Sequence, residues 1–166
     1  MTSSAAAKVT LPTNEQILIT REFDAPPHLV YRAWTTPELV KRWWSGRRGE
    51  MMLAEIDLRV GGTWRYVMIA DGGQEVGFHG EFRDIVPDER IVATELYEGP
   101  WPLEGEPAVT TVTFTALDGG RTMLGQLMQV GSRQERDAII ATGMETGIHE
   151  QLDLLDALTR ELGATP

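Results

Sequence analysis

Between residues 52 and 129 the hydrophobic pattern repeats every two residues and is interrupted five times by turn-forming sequences. The interruptions read VGG, DGG, PDE, EGPWPLEGE and LDGG, and their glycine, proline and acidic residues are typical of turns. A period of two predicts β-strands, and short connections predict antiparallel neighbours. The segment therefore predicts six strands, at 52–59, 63–70, 75–85, 90–98, 107–116 and 121–129.

Upstream of this segment the pattern predicts one more strand and two short helices. Residues 16–23 alternate through Ile17, Ile19 and Phe23, which indicates a first strand. Pro26 and Pro27 then favour the first turn of a helix that ends where Thr36 meets Pro37. A second helix is predicted from Pro37 to about Trp44.

Downstream, the period becomes helical and remains so to the end of the chain. Ser132 and Glu135 have the spacing of a capping box, and apolar residues then recur at three- and four-residue steps as far as Leu162. One helix over 133–162 needs a large apolar surface, which the sheet can supply. The sequence predicts an α+β fold in which a curved, seven-stranded antiparallel sheet packs on one long C-terminal helix.

Gly143 and Gly147 interrupt this predicted helix, and each costs about 0.5–1 kcal/mol relative to alanine. Two interpretations stay open. The glycines permit close packing of the helix backbone, or their missing side chains leave space for a pocket between helix and sheet.

The composition limits the partners of the chain. A length of 166 residues is typical of one domain, which we place at 15–163, after a flexible tail at 1–14. A net charge of −10 argues against nucleic acid and anionic membranes as partners. The chain contains no cysteine and no long apolar run, so we expect a cytoplasmic protein without disulfides.

Two adjacent tryptophans, Trp43 and Trp44, cannot face the core equally, because neighbours on a helix point about 100° apart. We predict that Trp43 is buried and that Trp44 lies at the rim of a cavity. The flanking cations either are solvated side chains at a helix C-terminus or form a cationic mouth for an anionic group on a ligand. These cations are Lys41, Arg42, Arg47 and Arg48.

Five segments, in order and at fitting spacing, resemble a known family: REFDAPPHLVYRAWTTPELVKRWW, EIDLRVGGTWRYVM, FHGEFRDIVPDERIVATE, VTFT and RDAIIATGMETGIHEQLDLLDAL. They are similar to the single-domain bacterial homologues of the activator of heat-shock-chaperone ATPase. The resemblance covers residues 16 to about 160. It implies the helix-grip fold of the START-like (SRPBCC) ligand-binding superfamily.

The resemblance also implies an apolar cavity between the sheet and the C-terminal helix. We expect it to bind a hydrophobic or amphipathic small molecule, without a cofactor or a metal. The predicted ligand-binding residues are Trp34, Trp44, Trp64, Tyr66, Met68, Phe78, His79, Glu81, Met128, Met144 and Ile148.

Two further functions stay open behind small-molecule binding. His79 and Glu81 lie two apart on one strand, so they could form an acid–base pair of a cyclase or hydrolase. The sequence lacks nucleophile-elbow, Walker and dinucleotide motifs, so we expect no enzyme. The third function is stimulation of a heat-shock chaperone. It ranks lower because the resemblance covers only the C-terminal domain of the two-domain eukaryotic activators. The sequence does not decide whether the chain forms a homodimer.

Overall fold

The computed structural model describes residues 6–98 and 106–164. In this part of the chain eight antiparallel strands form one sheet, in the order β1-β2-β8-β7-β6-β5-β4-β3. Consecutive strands are neighbours in the sheet, except that β2 pairs with β8 instead of β3. The sheet is therefore a meander from β3 to β8, which β2 and β1 extend beyond β8. The strands are β1 (Lys8–Thr10), β2 (Gln16–Phe23), β3 (Gly49–Ile56), β4 (Thr63–Ala70), β5 (Glu75–Val86), β6 (Arg90–Glu98), β7 (Ala108–Leu117) and β8 (Arg121–Gln129).

The described residues also form four helices, α1 (Pro27–Thr35), α2 (Pro37–Val40), α3 (Arg133–Ala141) and α4 (Met144–Ala164). Helix α4 packs on α1 and β2, and α1 also packs on β7. The core lies between these layers, where Ile17, Phe23, Val30, Leu124 and Leu155 are almost fully buried. No helix in the described residues is both long enough and apolar enough to cross a membrane.

The predicted α+β fold is confirmed, with one more strand than the seven predicted. Residues 8–10, placed in the predicted tail, form β1 and pair with residues 18–20 of β2. The additional strand covers an edge that β2 would otherwise expose to further pairing. Ala7 beside it is only 7% exposed, and Val9 packs against the core.

The predicted single C-terminal helix is wrong in one respect, because it is divided into α3 and α4. Ser132 caps α3 as predicted, and its Oγ accepts a hydrogen bond from the Glu135 backbone N–H at 3.1 Å. Gly143 ends the helical run with φ of 81°, a left-handed conformation that favours glycine after a helix. A Cβ at Gly143 would meet no atom within 4 Å, and one at Gly147 would meet only Arg48 at 3.7 Å within the described residues, so neither glycine is needed for close packing. Neither of them lines the pocket described below.

A buried arginine fixes α4 on the sheet. Arg21 occupies an inward position of β2 and is 5% exposed. Its guanidinium donates to the Leu152 carbonyl at 2.8 Å and to the Asp153 carboxylate at 3.1 Å, and it lies 5.0 Å from the centre of the Phe23 ring. Because a buried charge must be paired, these contacts set the position of α4 along β2.

Candidate functional site: an aromatic pocket with one carboxyl group

A pocket of about 100 Å³ lies between the inner face of the sheet, the end of α1 and the turn that follows α2. Aromatic side chains and inward residues of β3 to β8 form most of its wall, and Gln151 is the residue that α4 contributes among those described. The lining residues are Trp34, Thr35, Trp43, Trp44, Ile56, Trp64, Tyr66, Phe82, Ile91, Ala93, Thr94, Glu95, Thr110, Val112, Gln126 and Gln151.

Hydrogen bonds and ring contacts hold the tryptophans in place. The Trp43 indole N–H donates to the Ala33 carbonyl at 3.0 Å, and its ring centre lies 4.8 Å from that of Trp34. The Trp64 indole donates to the Thr94 carbonyl at 3.2 Å, across the sheet. Since Trp43 is only 3% exposed, its predicted burial agrees with the structure. These contacts fix the orientation of the Trp43 and Trp64 indoles in the pocket wall.

The predicted second helix is shorter than expected: α2 ends at Val40, and both tryptophans lie in the turn that follows it. Trp44 nevertheless takes a different direction from Trp43, as predicted. It is partly buried and lines the pocket, with ring centres 5.3 Å from Tyr66 and 5.4 Å from Phe78. The Gln151 side-chain amide donates to the Trp44 carbonyl, which links this segment to α4. Trp44 therefore lies where the helices meet the sheet.

The basic residues beside the tryptophans are partly paired with α4. Arg42 lies 2.5 Å from the Glu161 carboxylate, and Arg48 lies 3.3 Å from that of Glu150. All four groups are at least a quarter exposed, so such pairs contribute about 1 kcal/mol or less. These contacts fit the interpretation of solvated cations better than that of a cationic mouth.

Glu95 is a pocket residue that the sequence analysis did not identify. Its side chain points inward from β6 into the pocket, and within residues 6–98 and 106–164 its carboxyl group has no hydrogen-bond partner. Removal from water disfavours the charged form and raises the pKa of Glu95 to about 7. The pKa of the neighbouring Tyr66 hydroxyl is also raised, by burial first and by the Glu95 charge second.

Two more polar groups in the pocket wall are unsatisfied within the part of the chain that the structure describes. The Thr110 hydroxyl oxygen and the Gln126 amide oxygen are buried and make no hydrogen bond there. Buried polar groups are nearly always hydrogen-bonded, so each exception needs an explanation. Both oxygens line the same pocket as Glu95, and a bound molecule would satisfy them.

The structure gathers only some of the predicted binding residues around the pocket. Trp34, Trp44, Trp64 and Tyr66 line it. Five of the predicted apolar residues do not line the pocket, and four of these five, all except Met68, pack against the core instead. These five are Met68, Phe78, Met128, Met144 and Ile148.

The predicted pair of His79 and Glu81 does not form in the pocket. Both residues lie on the outer face of β5, opposite to Phe82, because side chains alternate along a strand. The His79 Nδ1 instead lies 2.7 Å from the carboxylate of Glu98.

Arg65 is the strongest partner of Glu98 on this outer face. Its guanidinium donates to both Glu98 oxygens, at 2.9 and 3.1 Å, and lowers the pKa of that carboxyl group, with a smaller contribution from His79. The three side chains border an open groove of about 690 Å³, which also contains Glu55 and Asp57 and shares the wall residues Ile56 and Trp64 with the aromatic pocket. Among the described residues no three His, Asp or Glu side chains converge closely enough to hold a metal ion.

A curved antiparallel sheet packed on a C-terminal helix, with two short helices after the first long strand, defines a helix-grip, START-like fold. The family model "Activator of Hsp90 ATPase homolog 1-like protein" matches residues 24–160, and the chain belongs to this family. A search among curated proteins finds no match.

Solved bacterial structures are similar to the chain over nearly their whole length. A Rhodobacter sphaeroides protein has a TM-score of 0.86 at 24% identity, with 95% of this chain and 99% of that one covered. A Chromobacterium violaceum protein has a TM-score of 0.73 at 30% identity, over 86% and 96%. A Mycobacterium smegmatis protein has a TM-score of 0.81 at 21% identity, over 94% and 96%. These similarities establish the fold.

Proposed function

We propose that this protein binds a small molecule in the aromatic pocket. One observation carries the proposal: the polar side chains of Glu95, Thr110 and Gln126 line one space in a largely aromatic and aliphatic wall, and the Thr110 and Gln126 oxygens are buried without a hydrogen bond among the described residues. A few convergent polar groups in a concave apolar site are the usual signature of a ligand pocket. A core evolved for packing alone would place apolar groups there, because buried polar groups without partners cost stability.

The size of the pocket limits the ligand. An engineered cavity of about 150 Å³ holds benzene, so a space of about 100 Å³ suits a molecule of similar or smaller size. Trp43 and Trp64 are held by hydrogen bonds to Ala33 and Thr94, which favours a pocket that is formed before the ligand binds. The ligand would contact mainly rings and would reach the polar groups of β6 to β8.

A matched pair of variants on β7 tests this proposal. Thr110 lines the pocket, whereas the next residue, Thr111, points to the opposite face of the sheet. Thr110→Phe should fill the pocket and abolish the binding of n-butanol in calorimetric titrations, and Thr111→Phe should leave it unchanged. Equal binding by wild type and both variants would contradict the proposal, provided that thermal melting shows all three to be folded.

Stimulation of a chaperone, which the family name suggests, remains a prediction. No contact among the described residues favours it over ligand binding. A cytoplasmic location also remains a prediction.

A further inference from the structure

The aromatic pocket contains a carboxyl group but no cation to pair with it. All fifteen Lys and Arg residues and all three His residues lie within the described parts of the chain, and none of them lines the pocket. Glu95 is therefore surrounded by rings, aliphatic groups and neutral polar groups. When this carboxyl group is ionised, no cation among the described residues stabilises it in the pocket, so a positive ligand would do so.

We propose that the pocket recognises a small organic cation, an alkylammonium ion no larger than benzene, with the Glu95 carboxylate as its counter-ion. This inference rests on the proposed function, because it names the class of ligand for the same pocket.

The aromatic rings that line the pocket with Glu95 also favour a positively charged ligand. The faces of Trp and Tyr attract cations, and cages of such rings are a known means of binding ammonium groups. Trp34, Trp44 and Tyr66 reach the pocket from three different elements, α1, the segment after α2, and β4. An ammonium ion placed among them would meet ring faces on several sides and the carboxylate on another. An anion would instead meet the Glu95 charge.

The Thr110 and Gln126 side chains also favour an ammonium ion over an anion. Two buried oxygens of the pocket wall lack a hydrogen bond within the described residues: the Gln126 amide oxygen, which only accepts, and the Thr110 hydroxyl oxygen, which can accept as well as donate. An ammonium group carries up to three N–H donors and no acceptor. Its donors therefore match the acceptors that this pocket presents.

The protonation of Glu95 makes the preference dependent on pH. In the pocket Glu95 faces one other titratable side chain among the described residues, Tyr66, whose raised pKa keeps it neutral. With the pKa of Glu95 at about 7, its charged fraction rises about tenfold between pH 6 and pH 8. The affinity for an alkylammonium ion should rise by the same factor, because only the charged form supplies the counter-ion.

The open groove on the outer face is the competing site for a cation, since it contains Glu55, Asp57 and Glu98. Glu98 is already paired with Arg65 and His79, and these carboxylates are exposed to water. Weak, salt-sensitive binding is expected there. Glu98 lies on the same strand as Glu95 but on the other face, so Glu98→Gln is a matched control.

Calorimetric titration with n-butylamine, n-butanol and sodium butyrate tests the inference, because the three probes share an alkyl chain and differ in charge. At pH 8 we expect n-butylamine to bind the wild type at least tenfold more tightly than n-butanol does, and butyrate not to bind. Glu95→Gln should remove the difference between amine and alcohol, and Glu98→Gln should retain it. For the wild type, amine binding should weaken about tenfold from pH 8 to pH 6.

Three results would overturn the inference. Equal affinities of the wild type for n-butylamine and n-butanol would show that charge is not recognised, while alcohol binding that is lost in Thr110→Phe would leave the proposed function standing. Loss of amine preference in Glu98→Gln but not in Glu95→Gln would place the cation in the outer groove. Failure of all three probes to bind the wild type would overturn the inference and the proposed function together. If Glu95→Gln does not fold, the pH dependence of the wild type decides.

Discussion

Replacing Glu95 by glutamine should stabilise the unliganded protein at alkaline pH. Burial raises the pKa of Glu95 from its ordinary value of 4.5 to about 7, so the folded state binds this proton more tightly than the unfolded state. Between these two values the folded protein carries the additional proton, and its stability falls as the pH rises. The contribution of Glu95 is therefore fully present below pH 4.5 and is lost as the pH passes through 7.

The size of this effect follows from the difference between the two pKa values. A separation of about 2.5 units at 1.36 kcal/mol per unit is about 3 kcal/mol. Glu95→Gln has no group that titrates at this position. From pH 4.5 to pH 8 its free energy of unfolding should therefore rise relative to that of the wild type by up to about 3 kcal/mol.

Urea unfolding at pH values from 4.5 to 8 measures this change. Glu81→Gln is the control, because its carboxylate is half exposed on the outer face of the sheet. The curve of the wild type should fall below that of Glu95→Gln as the pH rises, and Glu81→Gln should follow the wild type. Parallel curves for the wild type and Glu95→Gln would refute the assignment of Glu95 as a carboxyl group in an apolar pocket.

Further predictions concern the tryptophans, the glycines and the basic cluster. Trp43→Ala should lower the free energy of unfolding in urea by about 3–5 kcal/mol, because Trp43 is buried. Trp44→Ala should lower it by less, because Trp44 is only partly buried, and equal losses of stability would contradict these orientations. Gly143→Ala should destabilise by about 1–2 kcal/mol because of the left-handed backbone. Gly147→Ala should stabilise by about 0.5–1 kcal/mol, since a Cβ there would meet only Arg48 at 3.7 Å within the described residues; a loss of stability would contradict this. Arg48→Ala should cost less than about 1 kcal/mol, and the cost should shrink in high salt; a larger, salt-independent cost would contradict a surface pair.

Most of the sheet could be predicted because its signals are local. Alternation and turn residues locate β4, β6 and β8 at the predicted positions, and β3 begins three residues earlier than predicted. The short strand β1 gave no such signal, because three residues cannot display a period. The break at Gly143 was also missed, since the apolar repeat continues through it and only the backbone conformation reveals the turn.

The pocket could be predicted only in part, because its lining depends on which residues the tertiary fold brings together. Four of the predicted residues line it, whereas the methionines of α4 and β8 pack elsewhere. The position of Glu95 could have been predicted from the sequence. It lies two and four residues after Ala93 and Ile91 on β6, so it shares their inward face, where an acidic residue is unusual. Arg21 on β2 is likewise a charged residue at an inward position, but its guanidinium is paired with α4. Only the structure shows which of these two charged residues has a partner on a helix and which lines the pocket.

The structure of the protein with n-butylamine bound, determined at pH 8, tests the central claim most directly. The amine nitrogen should lie within hydrogen-bonding distance of the Glu95 carboxylate, with the alkyl chain among the rings of Trp34, Trp44 and Tyr66. An amine bound only beside His79 and Glu98 on the outer face, with side chains filling the aromatic pocket, would contradict the claim that this pocket is the ligand site.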